Sequence, residues 1–81
     1  MAISKEIFEE IICKILLLEK NQIKDNLSRE DIEEWDSMTH LVLISDLEQA
    51  FDIIFSDDDV VEIKTIGDIK TKLDKYGVKI I

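Results

Sequence analysis

The sequence predicts an all-α protein, a small bundle of four helices. Four segments place apolar residues three and four positions apart, which is the period of a helix that buries one face. Strand-like alternation of apolar and polar residues does not persist anywhere, and the chain contains no proline. With 81 residues the chain has the size of one domain, so we expect a single domain over residues 1–81.

The first predicted helix spans about residues 4–19. Its apolar residues recur at helical spacing on one face: Phe8, Ile11, Ile12, Ile15 and Leu16. The next segment, residues 21–35, is mostly polar, with apolar residues at intervals. We expect a long loop there, held onto the core by those apolar side chains, because long loops without secondary structure are uncommon and often functional.

The second predicted helix spans about residues 37–51, and Asp36 or Ser37 is expected to cap it. His40 is the only histidine in the chain, and we expect it on the surface of this helix. Asp36, Ser37 and His40 are the residue types of a nucleophilic triad. Residues this close on one helix cannot surround a substrate, however, so the chain is not expected to be an enzyme.

The third predicted helix is short, about residues 57–63, and the fourth spans about residues 66–76. A hydroxyl residue precedes each of these helices, and an aspartate lies three positions after that residue. The pairs, Ser56 with Asp59 and Thr65 with Asp68, resemble capping boxes. The three consecutive aspartates at the third helix lack the glycine and the spacing of a calcium-binding loop. No metal site is therefore predicted.

The charge of the chain is unevenly distributed around a net value of −9. Residues 1–29 carry five acids and five bases, and residues 64–81 carry two acids and five bases. Residues 30–63 carry twelve acids and neither Lys nor Arg, and we call this segment the acidic block. Such a block disfavours binding to nucleic acid and favours a basic protein partner. It is also compatible with a plain solvated surface.

The cellular setting is predicted from three further observations. No apolar run approaches the ~20 residues that a membrane span needs. The first residues become charged before a signal-peptide core could form. A single cysteine, Cys13, excludes an intramolecular disulfide and a multi-cysteine zinc site. These features favour the reducing cytoplasm.

A set of motifs follows in order after the first helix and the loop. They are Trp35-Asp36-Ser37-Met38, a helix with Leu41, Leu47, Glu48 and Phe51, the segment Asp52-Ile53-Ile54-Phe55-Ser56-Asp57, and Thr65-Ile66-Gly67-Asp68-Ile69. This arrangement, over about residues 5–76, resembles the acyl carrier protein family, which includes peptidyl and aminoacyl carriers. The resemblance implies the fold of that family, with a long loop between helices 1 and 2 and a short third helix.

The resemblance also implies a cofactor and its site. Ser37 would accept 4′-phosphopantetheine from coenzyme A, and a phosphopantetheinyl transferase would form the bond. The thiol of the arm would then carry an acyl or aminoacyl group as a thioester. Asp36 would help to present the serine, and Met38 would anchor the start of the helix against the core and contact partners.

The resemblance further implies that partner enzymes, which load, transfer or condense acyl groups, would bind a monomeric carrier through a basic patch.

 The docking face would consist of acidic residues of the second and third helices: Asp46, Glu48, Asp52, Asp57, Asp58, Asp59 and Glu62. An acyl chain would be sheltered between helices by apolar residues: Leu41, Leu47, Ile54, Phe55, Ile63 and Ile69. The same six residues can equally be plain core.

Two interpretations of the whole chain stay open at this point. Carriers of fatty-acid synthesis usually have glycine two residues before the aspartate and leucine after the serine, where this chain has Glu34 and Met38. The difference favours a specialised carrier that serves a dedicated pathway. The alternative is an unmodified acidic helical module that binds a basic protein, with Ser37 acting only as a helix N-cap.

Overall fold

A computed structural model describes residues 4–80 of the chain. Four α-helices run in the order α1 (Ser4–Leu16), α2 (Ser37–Phe51), α3 (Asp57–Glu62) and α4 (Ile66–Lys75). A short 3-10 helix, Lys20–Gln22, lies in the long loop between α1 and α2. The described residues contain no β-strand. The predicted all-α bundle, with a long first loop and a short third helix, is confirmed.

The core is built from the apolar faces that the helical spacing predicts. Phe8, Ile12 and Leu16 of α1 are fully buried, as are Leu43 and Leu47 of α2. Ile63, which directly follows α3, and three residues of α4 are also fully buried: Ile66, Ile69 and Leu73. The apolar core is therefore built mainly by α1, α2 and α4, while α3 packs the partly buried Val60 against it. Burial of apolar surface is the main source of stability in a domain of this size. Within residues 4–80, no helix combines the length and the apolar character needed to cross a membrane.

The first helix is shorter than predicted, because it ends at Leu16 rather than near residue 19. Leu17 adopts a left-handed backbone conformation with φ of 56°. The backbone N–H of Leu18 then donates to the carbonyl oxygen of Cys13 at 3.2 Å, which closes the end of the helix. Leucine rarely adopts this conformation, so nothing in the sequence indicated the stop.

The long loop lies against the core, as its spaced apolar residues predict, and it is also hydrogen-bonded to the start of α4. Ile32 is buried in the core. The N–H groups of Ile66 and Gly67 donate to the carbonyl oxygens of Leu27 and Asp25 at 3.0 and 2.9 Å. These donors have no partner inside a helix, so the loop supplies what the helix start lacks.

The two predicted capping boxes have different outcomes. At α4, Thr65 Oγ1 accepts the N–H of Asp68 at 3.0 Å, and Asp68 Oδ2 accepts the N–H of Thr65 at 3.1 Å. This box is complete. At α3, Ser56 Oγ accepts the N–H of Asp59 at 3.2 Å, but the carboxylate of Asp59 is bound elsewhere. The predicted box at Ser56 is therefore only half formed.

Candidate functional site

Ser37 is the first residue of α2 and is exposed to solvent at the point where the long loop meets the helix. The residue before it, Asp36, is the N-cap, and its Oδ1 accepts the N–H of Thr39 at 2.8 Å. That hydrogen bond lowers the pKa of Asp36, because it stabilises the charged carboxylate. Of the two predicted caps, Asp36 is the one observed. The cap does not use the Ser37 hydroxyl, which lies at the positive end of the helix dipole.

Behind Ser37, Trp35 and His40 are both buried, with side chains only 2% and 4% exposed. The indole Nε1–H of Trp35 donates to Nδ1 of His40 at 2.9 Å. The other ring nitrogen of His40 lies 2.9 Å from the carbonyl oxygen of Val60 in α3. The prediction that His40 is a surface residue is therefore wrong, because the imidazole is buried with both nitrogens hydrogen-bonded.

A signal for this buried pair was present in the sequence. The indole of tryptophan has one donor and no acceptor, so a buried Trp35 needs an acceptor close by. His40 lies five residues later, in the first turn of the second predicted helix. The burial of His40 lowers its pKa, since removal from water disfavours the charged imidazolium.

The exposed surface beside Ser37 is apolar. Met38 is 78% exposed and Leu41 is 62% exposed, and Val42 is also exposed. Their spacing places them on neighbouring positions of one helix face. The prediction that Met38 anchors the start of the helix against the core is wrong, because Met38 is exposed and Trp35 is the buried residue at the start of α2. We call Met38, Leu41 and Val42 the apolar patch.

Three residues of the predicted docking face, Asp52, Asp57 and Asp58, are exposed, as is Glu62. Glu62 forms an ion pair with Lys72. The remaining residues of the predicted face are also engaged within the protein. Asp46 is half-buried and forms an ion pair with Lys14 at 3.1 Å. Glu48 Oε2 accepts the backbone N–H of Phe55 at 2.8 Å. The acidic block therefore contains both free and structurally engaged carboxylates.

Asp59 does not fit the predicted docking face, because its side chain is buried between α3 and α4. Its carboxylate lies 3.2 Å from Lys72 Nζ and 3.0 Å from Lys75 Nζ. Tyr76 Oη donates to its Oδ2 at 2.5 Å. These hydrogen bonds, led by the one from Tyr76, hold the pKa of Asp59 well below its usual range. Asp59 is a structural anchor between two helices.

The six residues predicted to shelter an acyl chain divide into four core residues and two surface residues. Leu47, Phe55, Ile63 and Ile69 are buried in the packed core. The other two lie at the surface, where Leu41 belongs to the apolar patch and Ile54 is 81% exposed. The prediction that Leu41 and Ile54 line one space with the other four residues therefore does not fit the packed structure.

The comparisons with known proteins agree with this arrangement. A family model described as the phosphopantetheine attachment site matches residues 6–73. The chain belongs to this family of phosphopantetheine-dependent acyl carriers. A solved structure described as "a putative acyl carrier protein" from Mycobacterium tuberculosis is 33% identical and superposes with a TM-score of 0.79. The match covers 90% of this chain and 97% of that one. A search of curated proteins gave no match.

Membership of the acyl carrier family has three consequences. The covalent cofactor is 4′-phosphopantetheine, as predicted. Carrier proteins of this family are not catalysts, which agrees with the prediction that the chain is not an enzyme. Their partners are phosphopantetheinyl transferases and enzymes that handle acyl groups. An exposed serine hydroxyl at the start of α2 fits a group that is attached through a phosphodiester.

Proposed function

We propose that this carrier holds acyl or aminoacyl intermediates as thioesters on a 4′-phosphopantetheine arm attached to Ser37, and that it shuttles them between partner enzymes. One observation carries the choice of residue. Ser37 is exposed as the first residue of α2, while Asp36 performs the capping. The hydroxyl of Ser37 is therefore available for modification without loss of the helix cap.

The chemistry of attachment asks little of the carrier itself. A bond forms between Ser37 Oγ and a phosphorus of coenzyme A, adenosine 3′,5′-bisphosphate leaves, and a base of the transferase takes the hydroxyl proton. The residues of this chain hold the serine at the surface. Asp36 fixes the start of α2 through Thr39, and the dipole of α2 favours a negative phosphodiester at this end.

Partner enzymes bind a composite face in this proposal. Its centre is the apolar patch of Met38, Leu41 and Val42, and its rim is formed by the exposed carboxylates of Asp52, Asp57 and Asp58. Asp46, Glu48 and Glu62 contribute charge despite their internal contacts. Such a face suits a partner with an apolar contact surrounded by basic residues. The carrier acts as a monomer that leaves each enzyme quickly.

The cargo is carried in one of two ways. A small acyl or aminoacyl group stays on the arm in solvent. A longer chain requires α2 and α4 to part, and Leu47, Phe55, Ile63 and Ile69 would then line the space. The residues around the serine, Glu34 and Met38 among them, support a specialised pathway rather than fatty-acid synthesis. The single Cys13, which is half-buried, is compatible with the reducing cytoplasm.

Intact-mass measurement tests the attachment site. The protein is incubated with a broad-specificity phosphopantetheinyl transferase and coenzyme A, beside Ser37→Ala and Ser45→Ala. Ser45 is a matched control, because it is a second exposed serine on α2. We expect one phosphopantetheine to be added to the wild type and to Ser45→Ala, and none to Ser37→Ala.

A wild type that gains no mass, or a gain that persists in Ser37→Ala, overturns the proposal. The first result would favour an unmodified acidic interaction module. In that alternative Ser37 would be the N-cap of α2, a place that Asp36 occupies here.

A further inference from the structure

Two consecutive hydrogen bonds join the residues on either side of Ser37 to α3, and we call them the hydrogen-bond relay. The relay runs from Trp35 Nε1 to His40 Nδ1 at 2.9 Å, and from His40 Nε2 to the carbonyl oxygen of Val60 at 2.9 Å. Trp35 comes two residues before Ser37 and His40 three residues after it. The first bond therefore closes a loop around the serine, which we call the Ser37 turn (residues 35–40), and the second ties that turn to α3.

The donors and acceptors of these two hydrogen bonds define the tautomer of the His40 imidazole. The indole N–H can only donate, so His40 Nδ1 must be the acceptor and carry no proton. The proton of the neutral ring then lies on Nε2, where it can donate to the Val60 carbonyl oxygen. Protonation of Nδ1 would place two N–H groups against each other and break the bond to Trp35. Both hydrogen bonds are therefore intact only while His40 is neutral.

We propose that Trp35 and His40 are positioning residues for the carrier reaction, and that the hydrogen-bond relay holds the Ser37 turn in register with α3 for the transferase. This inference rests on the proposed attachment at Ser37. Both side chains are almost completely buried, so they act through the backbone of the turn and do not touch the partner. The apolar patch and α3 are thereby kept in fixed relation to the serine hydroxyl.

The surroundings of His40 favour its neutral form. Burial is the largest effect that lowers its pKa, and the positive charge of Arg29 in the long loop acts in the same direction. The neutral backbone carbonyl of Val60 faces it from α3 and acts in the opposite direction. On its own helix, Asp36 is already bound to the N–H of Thr39. Positioning is therefore expected to be complete at neutral pH and to be lost under acidic conditions.

Trp35→Phe is the first test, since it removes the indole donor and keeps an aromatic ring. Thr71→Val is the control, because it removes a side-chain hydrogen bond within α4 and touches neither the Ser37 turn nor α3. We expect kcat/KM for phosphopantetheine transfer to fall by about tenfold in Trp35→Phe, as misplaced reacting groups lower rates steeply. We expect less than about a twofold change in Thr71→Val at a temperature where both variants are folded.

A pH profile separates positioning from stability. The ratio of the wild-type rate to the Trp35→Phe rate cancels the titration of the transferase itself. This ratio is expected to fall towards one as the pH is lowered, since protonated His40 loses the same hydrogen bond in the wild type. Equal kinetics for the two proteins at neutral pH, or a ratio that does not change with pH, overturns the inference.

Nitrogen NMR of the wild type gives a result that does not depend on any variant or on the transferase. We expect the His40 ring to be protonated at Nε2 and unprotonated at Nδ1 at neutral pH. Protonation at Nδ1 overturns the inference. An unmodified wild type in the transfer assay would instead contradict the proposed function, so the two failures can be told apart.

Discussion

The ammonium group of Lys75 lies 3.0 Å from Oδ1 of Asp59, whose side chain is buried between α3 and α4. Lys72 and Tyr76 contact the same carboxylate. One aspartate thus joins a helix of six residues to the last helix of the bundle. A helix this short has little stability of its own, so its position depends on such tertiary contacts.

Replacement of Asp59 by Asn is expected to lower the melting temperature clearly. The change keeps the size of the side chain, but it leaves two lysines beside a neutral amide and weakens the bond from Tyr76. Asp58→Asn is the matched control, because Asp58 is the exposed neighbour in the same helix. Thermal denaturation followed by circular dichroism measures both. Equal melting temperatures would show that Asp59 is no anchor.

The same carboxylate gives a pH dependence of stability. The pKa of Asp59 lies well below its ordinary value of 3.8, mainly because of the hydrogen bond from Tyr76. In the unfolded chain the group takes up a proton at higher pH than in the folded protein. Its contribution is therefore present above about pH 4 and is lost as the pH falls further. Urea unfolding of wild type and Asp59→Asn from about pH 6 to about pH 3 should give a shallower acid loss in the variant.

The helical architecture was predictable because apolar spacing reports directly which face of each helix is buried. The complete capping box of Thr65 and Asp68 was predictable because both partners lie within one turn of the sequence. The end of α1 was not predictable. It depends on a left-handed Leu17, a conformation that the neighbouring residues do not encode.

Side-chain roles were harder to predict, because they depend on contacts between distant segments. Asp59 belongs to a run of three aspartates, and only the lysines 13 and 16 positions later distinguish it from its neighbours. The surface prediction for His40 fails because helical spacing says nothing of a distant partner such as Val60. Met38 follows the serine as an apolar residue, but Trp35 occupies the core position beside it.

The exposed aspartates at the start of α3 are expected to act in partner binding rather than in folding. Reversal of both Asp57 and Asp58 to Lys should raise KM for the transferase by about fivefold at low salt, because complementary charge speeds encounter. The effect should shrink at high salt, where surface charges are screened. Reversal of both Glu6 and Glu10 to Lys, at exposed positions of α1, changes the net charge by the same amount and is the control. A KM raised equally by the control would mean that only total charge matters.

Glu48 is expected to contribute to stability, although it belongs to the predicted docking face. Its carboxylate accepts the N–H of Phe55 at 2.8 Å and so fixes the segment after α2. Glu48→Ala should reduce the free energy of unfolding by about 1 kcal/mol, the usual net value of such a bond. Gln49→Ala, at an exposed neighbouring position, should change it by less than about 0.5 kcal/mol. Equal losses in urea unfolding would contradict the role of Glu48.

Gly67→Ala is expected to loosen the long loop from α4. A Cβ atom at this position would lie 3.1 Å from the carbonyl oxygen of Asp25 and 3.3 Å from its Cβ. That oxygen cannot simply move away, because it accepts the Gly67 N–H at 2.9 Å, and the Asp25 carboxylate also pairs with Lys70 at 2.7 Å. Alanine would normally gain about 1 kcal/mol over glycine inside a helix. We expect this gain to be absent and the amide of residue 67 to exchange faster with deuterium, whereas a variant more stable than the wild type would show that the loop yields without cost.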